Sequence, residues 1–212
     1  LKEQAAMETL DLRKRHRALY TARRDKPILV DVPAFNFLML DGRGDPDSAP
    51  EYRQAVNALY SLAYALRFAV KKERALNYTL PPLEGLWWTP GAGEAPLAEL
   101  LTRRAEWQWT MMIAQPEVIT HGLFIRVQQE LVQKKDLPAL GHIRFETMHE
   151  GCCAQILHLG PYAAELPTVE KLHAFIAASG YTPRGRHHEI YLSDPRRTAP
   201  EKLKTILRQP IA

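Results

Sequence analysis

The feature that most constrains this chain is an order of elements that occurs twice. Asn36-Phe37-Leu38-Met39-Leu40 is expected to be a strand running into the turn Asp41-Gly42-Arg43-Gly44-Asp45-Pro46. A helix follows over about 48–72, opened by a capping box at Ser48-Ala49-Pro50-Glu51, with Ala55, Val56, Leu59, Leu62, Ala63, Leu66 and Val70 as its buried stripe. Two strand segments come next, ending at Trp87-Trp88 and spanning 107–113, with a polar helix near 97–104 between them. The second half repeats the plan. A strand near 154–159 ends at Gly160-Pro161, a helix over about 168–178 stops at Gly180, and strands at 188–192 and 202–210 complete it. Short matches support a duplication: Thr110-Met111-Met112-Ile113-Ala114-Gln115-Pro116 against Thr205-Ile206-Leu207-Arg208-Gln209-Pro210, and Trp87-Trp88-Thr89-Pro90 against Tyr191-Leu192-Ser193-Asp194-Pro195. The glycine-rich turn lacks the spacing and Lys-Ser/Thr of a phosphate loop.

The expected fold is therefore α+β, a tandem of strand-helix-strand-strand units covering about 27–116 and 140–212, with a helical insert between them. In that insert Val118, Gly122, Ile125 and Gln129 step along one side of a helix. The units pair their sheets edge to edge, helices cover one side, and a cleft remains near the pseudo-twofold axis.

Composition narrows the class. With 212 residues, 46% hydrophobic and 25% charged, the chain can bury a sizeable core. It has no run of eighteen apolar residues and no secretory pattern at its start, although it does not begin with Met. Its two cysteines, Cys152 and Cys153, are adjacent and expected to stay reduced, which points to the cytoplasm. Residues 1–26 hold eight Lys and Arg against four acids, so this arm carries the whole net charge of +4. The arm is too short for a helix-turn-helix domain. Residues 13–20 are expected to form one charged surface helix, and nucleic acid is not expected as a partner.

The chemistry gathers at His188-Glu189-Ile190-Tyr191-Leu192. Alternation sends Ile190 and Leu192 to a core and puts Glu189 beside Tyr191 on the other face, as a pocket floor or a solvated sheet face. Trp87 and Trp88 lie on opposite faces. The duplication pairs Trp87 with Tyr191, which favours Trp87 for the cleft. Trp107, Trp109 and Met111 share a face, and Tyr60 and Tyr64 share a helix edge. Aromatic walls stack on flat ligands and attract cations, although aromatics serve equally as core. No metal is expected: His187 and His188 diverge, Cys152 and Cys153 diverge, and His158 and His173 are single polar-edge residues. Ser193 lies in a turn without a nucleophile-elbow motif.

The run 188–208, with Asn36–Gly42 and Pro82–Trp88 in support, resembles GyrI-like small-molecule-binding proteins over roughly residues 27–211. The resemblance implies a tandem strand-helix-strand-strand (SHS2) fold around a hydrophobic cleft. It also implies a glutamate at the cleft bottom and aromatic walls that hold planar, often cationic compounds. Some stand-alone members of the subfamily that this chain resembles hydrolyse cyclopropane-bearing DNA-alkylating natural products. On that reading Glu189 and Tyr191 are catalytic, and Trp87, Trp107, Trp109, Met111, Tyr60, Tyr64 and Phe37 bind ligand. No cofactor is needed, and the partner is a small hydrophobic molecule. The alternative is a module that only binds or senses. Nothing in the residues sets an oligomeric state.

Overall fold

The computed structural model describes residues 9–91 and 103–212. Eight strands form one antiparallel sheet: β2 (Ile28–Val32), β3 (Phe35–Arg43), β5 (Leu83–Trp88), β6 (Gln108–Gln115), β7 (Arg144–Met148), β8 (Gly151–Leu159), β9 (His187–Tyr191) and β10 (Lys204–Pro210). Their order is β2-β8-β10-β9-β5-β6-β3-β7. The first unit is β3, helix α2 (Pro50–Arg74), β5 and β6. The second is β8, helix α4 (Leu166–Ala178), β9 and β10. They join through β5 and β9, where Gly85 lies opposite Glu189. The duplication and the α+β class are therefore present in space. The outer strands β2 and β7 lengthen the sheet at each end.

Both long helices lie on one face of the sheet. Strand alternation puts Leu38, Leu40, Met111 and Ile113 on that face, and α2 covers them with Ala55, Leu59, Leu62, Ala63, Leu66 and Val70. Each fully buried leucine contributes about 1.5–3 kcal/mol relative to exposure. Helix α2 starts differently from the expected capping box: its N-cap is Ala49, with no side-chain hydrogen bond, because Pro50 already occupies the first helical position. Helix α3 (His121–Lys134), capped by Thr120, joins the α2 cluster through buried Leu123, Phe124 and Val127; of the expected stripe, Val118 and Ile125 are partly buried against that cluster, and Gly122 and Gln129 are exposed. Helix α4 packs Val169, Leu172 and Ile176 on Ala154, Ile156 and Leu207. The polar helix expected near 97–104 falls mostly outside the described residues.

The arm corrects one expectation. Residues 13–20 form no single surface helix: α1 (Leu12–Arg15), capped by the Asp11 carboxylate, breaks at His16 into a 3-10 turn, Arg17–Tyr20. On either side of the break a leucine turns inward, each to a different cluster. Leu12 packs with Phe37, Met39, Leu86 and Met112, and Leu19 with Val32 and Cys153, so the arm covers the sheet face opposite the helices. A short parallel bridge ties the arm down, β1 (Thr9–Leu10) to β4 (Asn77–Tyr78). No described helix is long and apolar enough to cross a membrane.

Candidate functional site

The register of β5 on β9 builds the site. Gly85, Trp87, Glu189 and Tyr191 all point to the helix face, with Trp87 and Tyr191 diagonally placed across the Gly85–Glu189 pair. A Cβ at residue 85 would stand 2.9 Å from Trp87 Nε1, 3.1 Å from the Tyr191 hydroxyl and 3.2 Å from Met111 Sδ. Glycine is therefore what allows the two aromatic side chains to meet. The Trp87 indole N–H donates to the Tyr191 hydroxyl at 3.0 Å.

Aromatic rings continue on both sides. Tyr52, in the first turn of α2, lies 6.2 Å from Trp87 and edge-on to Trp109 at 5.4 Å; Trp107 meets Trp87 edge-on at 5.4 Å. Tyr162, just before α4, meets Tyr191 edge-on at 5.7 Å. The cleft thus lies between the starts of the two helices.

Glu189 sits within this cage, with a side chain only 15% exposed. Among the described residues no Lys or Arg lies within ion-pair distance of it; its one such neighbour is His187, Nε2 at 3.6 Å from Oε1. A second carboxyl, Glu165, lies beside it. Glu165 is the N-cap of α4, yet its side chain makes no cap hydrogen bond; it is 7% exposed and its Oε1 has no hydrogen-bond partner. Burial first, then the Glu189 charge, pushes the Glu165 carboxyl well above the usual carboxylate range. Two like charges 4 Å apart repel by about 4 kcal/mol even at an effective dielectric of 20. A helix N-terminus returns only about 0.3–1 kcal/mol, so repulsion outweighs the favourable dipole. Burial and then Glu189 also hold the Tyr191 phenol well above its ordinary value, and burial with Glu165 and Glu189 lifts Tyr162 to about 12. Both phenols are therefore proton donors at neutral pH. Further buried polar atoms without partners lie close by: Thr205 Oγ1 and both ring nitrogens of His187. Native interiors rarely leave such groups unpaired without water or ligand.

The expected wall residues divide. Trp87 and Trp107 line the cage, and Tyr60, near Tyr162 and Asp194, stands at its edge. Trp109 and Met111 are fully buried beneath it: the Trp109 ring covers Gly42, where a Cβ would fall 2.0 Å from the indole. Tyr64 stacks on Tyr60 but is 45% exposed on the outer side of α2. Phe37 pairs in register with Ala114 and points to the arm face, so strand parity removes it from the cleft. Trp88 is also on that face, with the Arg186 guanidinium 3.5 Å over its ring. Sequence reasoning missed Tyr52, Tyr162 and Glu165. Glu165, preceding Leu166-Pro167, has the look of a solvated helix start, and only the fold turns it inward.

Directly behind the cleft, on the arm face, is a buried ionic network. His188 Nδ1 is 3.0 Å from Glu150 Oε1, and Nε2 is 2.9 Å from Glu84 Oε2. With a carboxylate at each nitrogen, both must carry protons, so the ring is an imidazolium. Burial works against that charge, but Glu150 and Glu84 overcome it and raise His188 to about 9. Burial likewise opposes Glu150, and His188 and Arg208 bring it to about 2. Arg208 bonds Glu150 at 3.2 Å, Gln155 at 3.1 Å and the Leu19 carbonyl of the arm at 2.7 Å. Tyr20 of the arm reaches Glu84 at 3.3 Å. Among the described residues no group of three or more His, Cys, Asp or Glu has the arrangement of a metal site. The arm also borders two open depressions, about 490 and 540 Å³, lined by Arg13, Lys14 and Arg17 and by Arg15 and Asp31 respectively, and Glu189 lines neither. It is the chemistry of the cleft, rather than open space, that singles it out.

Comparisons with known proteins agree with this fold. The family model of a GyrI-like small molecule binding domain matches residues 25–212. A crystal structure of an uncharacterized conserved protein from Listeria innocua is 36% identical, with a TM-score of 0.86, over 96% of this chain and 100% of that one. A crystal structure of a hydrolase from Listeria innocua is 34% identical, with a TM-score of 0.82, over 96% and 100%. The EcmrR C-terminal domain shares the fold at 12% identity and a TM-score of 0.56, over 88% and 97%. A comparison with curated proteins gave no match.

Proposed function

The chain belongs to the GyrI-like small-molecule-binding family, and from that premise we propose that its cleft takes bulky, planar, hydrophobic compounds, cationic or electrophilic, and hydrolyses those with a strained cyclopropane ring. The observation that carries this reading is Glu189, a carboxylate among aromatic rings with no Lys or Arg partner among the described residues. A structural glutamate would have such a partner. One held in an aromatic cage with His187 as its ion-pair neighbour among the described residues suits a ligand cation or a water molecule awaiting deprotonation. A relative described as a hydrolase, 34% identical, supports the catalytic part.

In the reaction, Glu189 takes a proton from water as the oxygen bonds to the strained carbon. The ring C–C bond breaks, and its electron pair moves to the electron-withdrawing end of the substrate, which takes up a proton. Tyr191, held by the Trp87 indole, donates a hydrogen bond to Glu189 or to the departing charge. Trp87, Trp107 and Tyr52 stack on the ligand, each contact worth about 0.5–1.5 kcal/mol. No cofactor enters, and the setting is detoxification in the cytoplasm.

The test is incubation with a cyclopropane-bearing alkylator and mass analysis for a product heavier by one water, over multiple turnovers. Glu189→Gln should keep binding and lose about 100-fold or more in turnover. Tight binding with release of unchanged compound would leave the other reading, a sequestering or sensing module, which the family description favours on its own.

A further inference from the structure

The cleft holds two carboxyls but offers them no cation. Glu165 is turned away from the helix amides that a cap residue normally meets, and its buried Oε1 has no partner. The groups facing the pair are named by element: His187 and Tyr191 on β9, His158 on β8, Thr205 on β10, Tyr52 and Tyr60 on α2, Tyr162 before α4, and Asp194 beyond β9. Two of these can bring positive charge to Glu189: His187, whose nitrogens are both buried without a hydrogen bond, and His158, which burial holds below the ordinary histidine range. Arg196 is bound to Asp194, and Arg104 to Asp45 and Asp47.

Carboxyls in contact in an apolar site do not both ionise; they share a proton. We propose that Glu165 and Glu189 hold one proton between them in the empty cleft and release it when a lipophilic monocation enters. The cation supplies the charge that the protein withholds, the second carboxyl ionises, and its proton passes to solvent. Glu165 is thereby a specificity-determining residue: it makes affinity for cations depend on pH and leaves affinity for neutral ligands alone. The same proton fits it to serve as the acid opposite Glu189 in hydrolysis, a role that rests on the catalytic reading above; the binding claim does not.

The test is titration calorimetry with ethidium, a flat monocation, in phosphate and in Tris at the same pH. The two buffers differ in ionisation enthalpy, so the difference in heats counts protons. The wild type should release about one proton per ethidium at the pH of maximal coupling, and affinity should rise with pH by up to about tenfold per unit across the range, above that of an ordinary carboxylate, in which the shared proton titrates. Glu165→Gln, the same shape without a titratable proton, should bind with no release and a flat pH profile. Wild-type binding without proton release overturns the proposal, and so does release that persists in Glu165→Gln, which would assign the proton to His187, His158 or Glu189 alone. Failure of ethidium to bind overturns the cationic part of the proposed function and this inference with it. If Glu165→Gln fails to fold, the two-buffer measurement on the wild type decides. Infrared spectra of the ligand-free wild type provide a second reading: a protonated-carboxyl band that ethidium abolishes is expected, and a spectrum without one contradicts the shared proton.

Discussion

Around the axis between β5 and β9, Gly85 of the first unit takes the place that Glu189 holds in the second. The same rotation carries Trp87 to Tyr191 and Glu84 to His188. None of the three pairs is identical, and each is complementary. Glycine leaves the space that the aromatic pair over Glu189 needs; an indole N–H meets a phenol oxygen at 3.0 Å; a carboxylate meets an imidazolium at 2.9 Å. Identical residues at a twofold seam would bring like against like, and two carboxylates at positions 84 and 188 would repel. The units have also divided the labour. The first supplies Tyr52, Trp87 and Trp107, and the second supplies Glu165, Glu189 and His187. The helix face of the seam carries the candidate chemistry, and the arm face carries a closed ionic lock.

If that division is right, the largest stability effect comes from the lock. Removing one member of a buried ion pair costs about 3–5 kcal/mol, so His188→Gln should lower denaturation stability by that order at pH 6. The dependence on pH has a definite sign. His188 is raised from 6.5 to about 9, so its contribution is complete below 6.5 and is lost as pH rises through about 9. Glu150 is lowered from 4.5 to about 2, so its contribution is complete above 4.5 and is lost as pH falls through about 2. The stability gap between wild type and His188→Gln should therefore close between pH 6.5 and 9. A gap that stays constant would mean that His188 is not charged in the fold.

The arm comes next. Leu12→Ala should cost about 2–4 kcal/mol in chemical denaturation, because Leu12 is 3% exposed and packs against β5 and β6 from behind. A surface helix, as the charge pattern of residues 13–20 implies, would lose almost nothing. The smallest stability effect, with the greatest functional consequence, belongs to the seam itself. Gly85→Ala should cost about 1–3 kcal/mol by overpacking, since the indole and phenol must move apart. Ligand quenching of tryptophan fluorescence should weaken along with it. Unchanged quenching would mean that the Trp87–Tyr191 contact does not shape the cleft.

The element order and the shared face of Glu189, Tyr191 and Trp87 were legible because alternation and duplication are local signals. Phe37 was misplaced because the sequence shows that a strand has two faces but not which one the helices cover. The arm's burial was hidden by its charge: Leu12 and Leu19 are set among Arg13, Lys14, Arg15 and Arg17, and the chain between them breaks at His16 to reach two separate clusters on the sheet. Glu165, Glu150 and Glu84 were illegible for a related reason. A carboxylate in a turn, at a helix start or on a strand face is ordinarily solvated, and only long-range packing brings these against Glu189, His188 and Arg208.

The central claim is that the second unit's carboxylate reads charge while the first unit's rings hold the ligand. The most direct test compares dissociation constants, by tryptophan quenching, for ethidium and for neutral 6-phenylphenanthridine in the wild type and in Glu189→Gln. The wild type should prefer the cation by about tenfold or more, equivalent to about 1.4 kcal/mol, and Glu189→Gln should reduce that preference to near parity while keeping affinity for the neutral compound. An equal preference for the cation in both proteins would contradict the account.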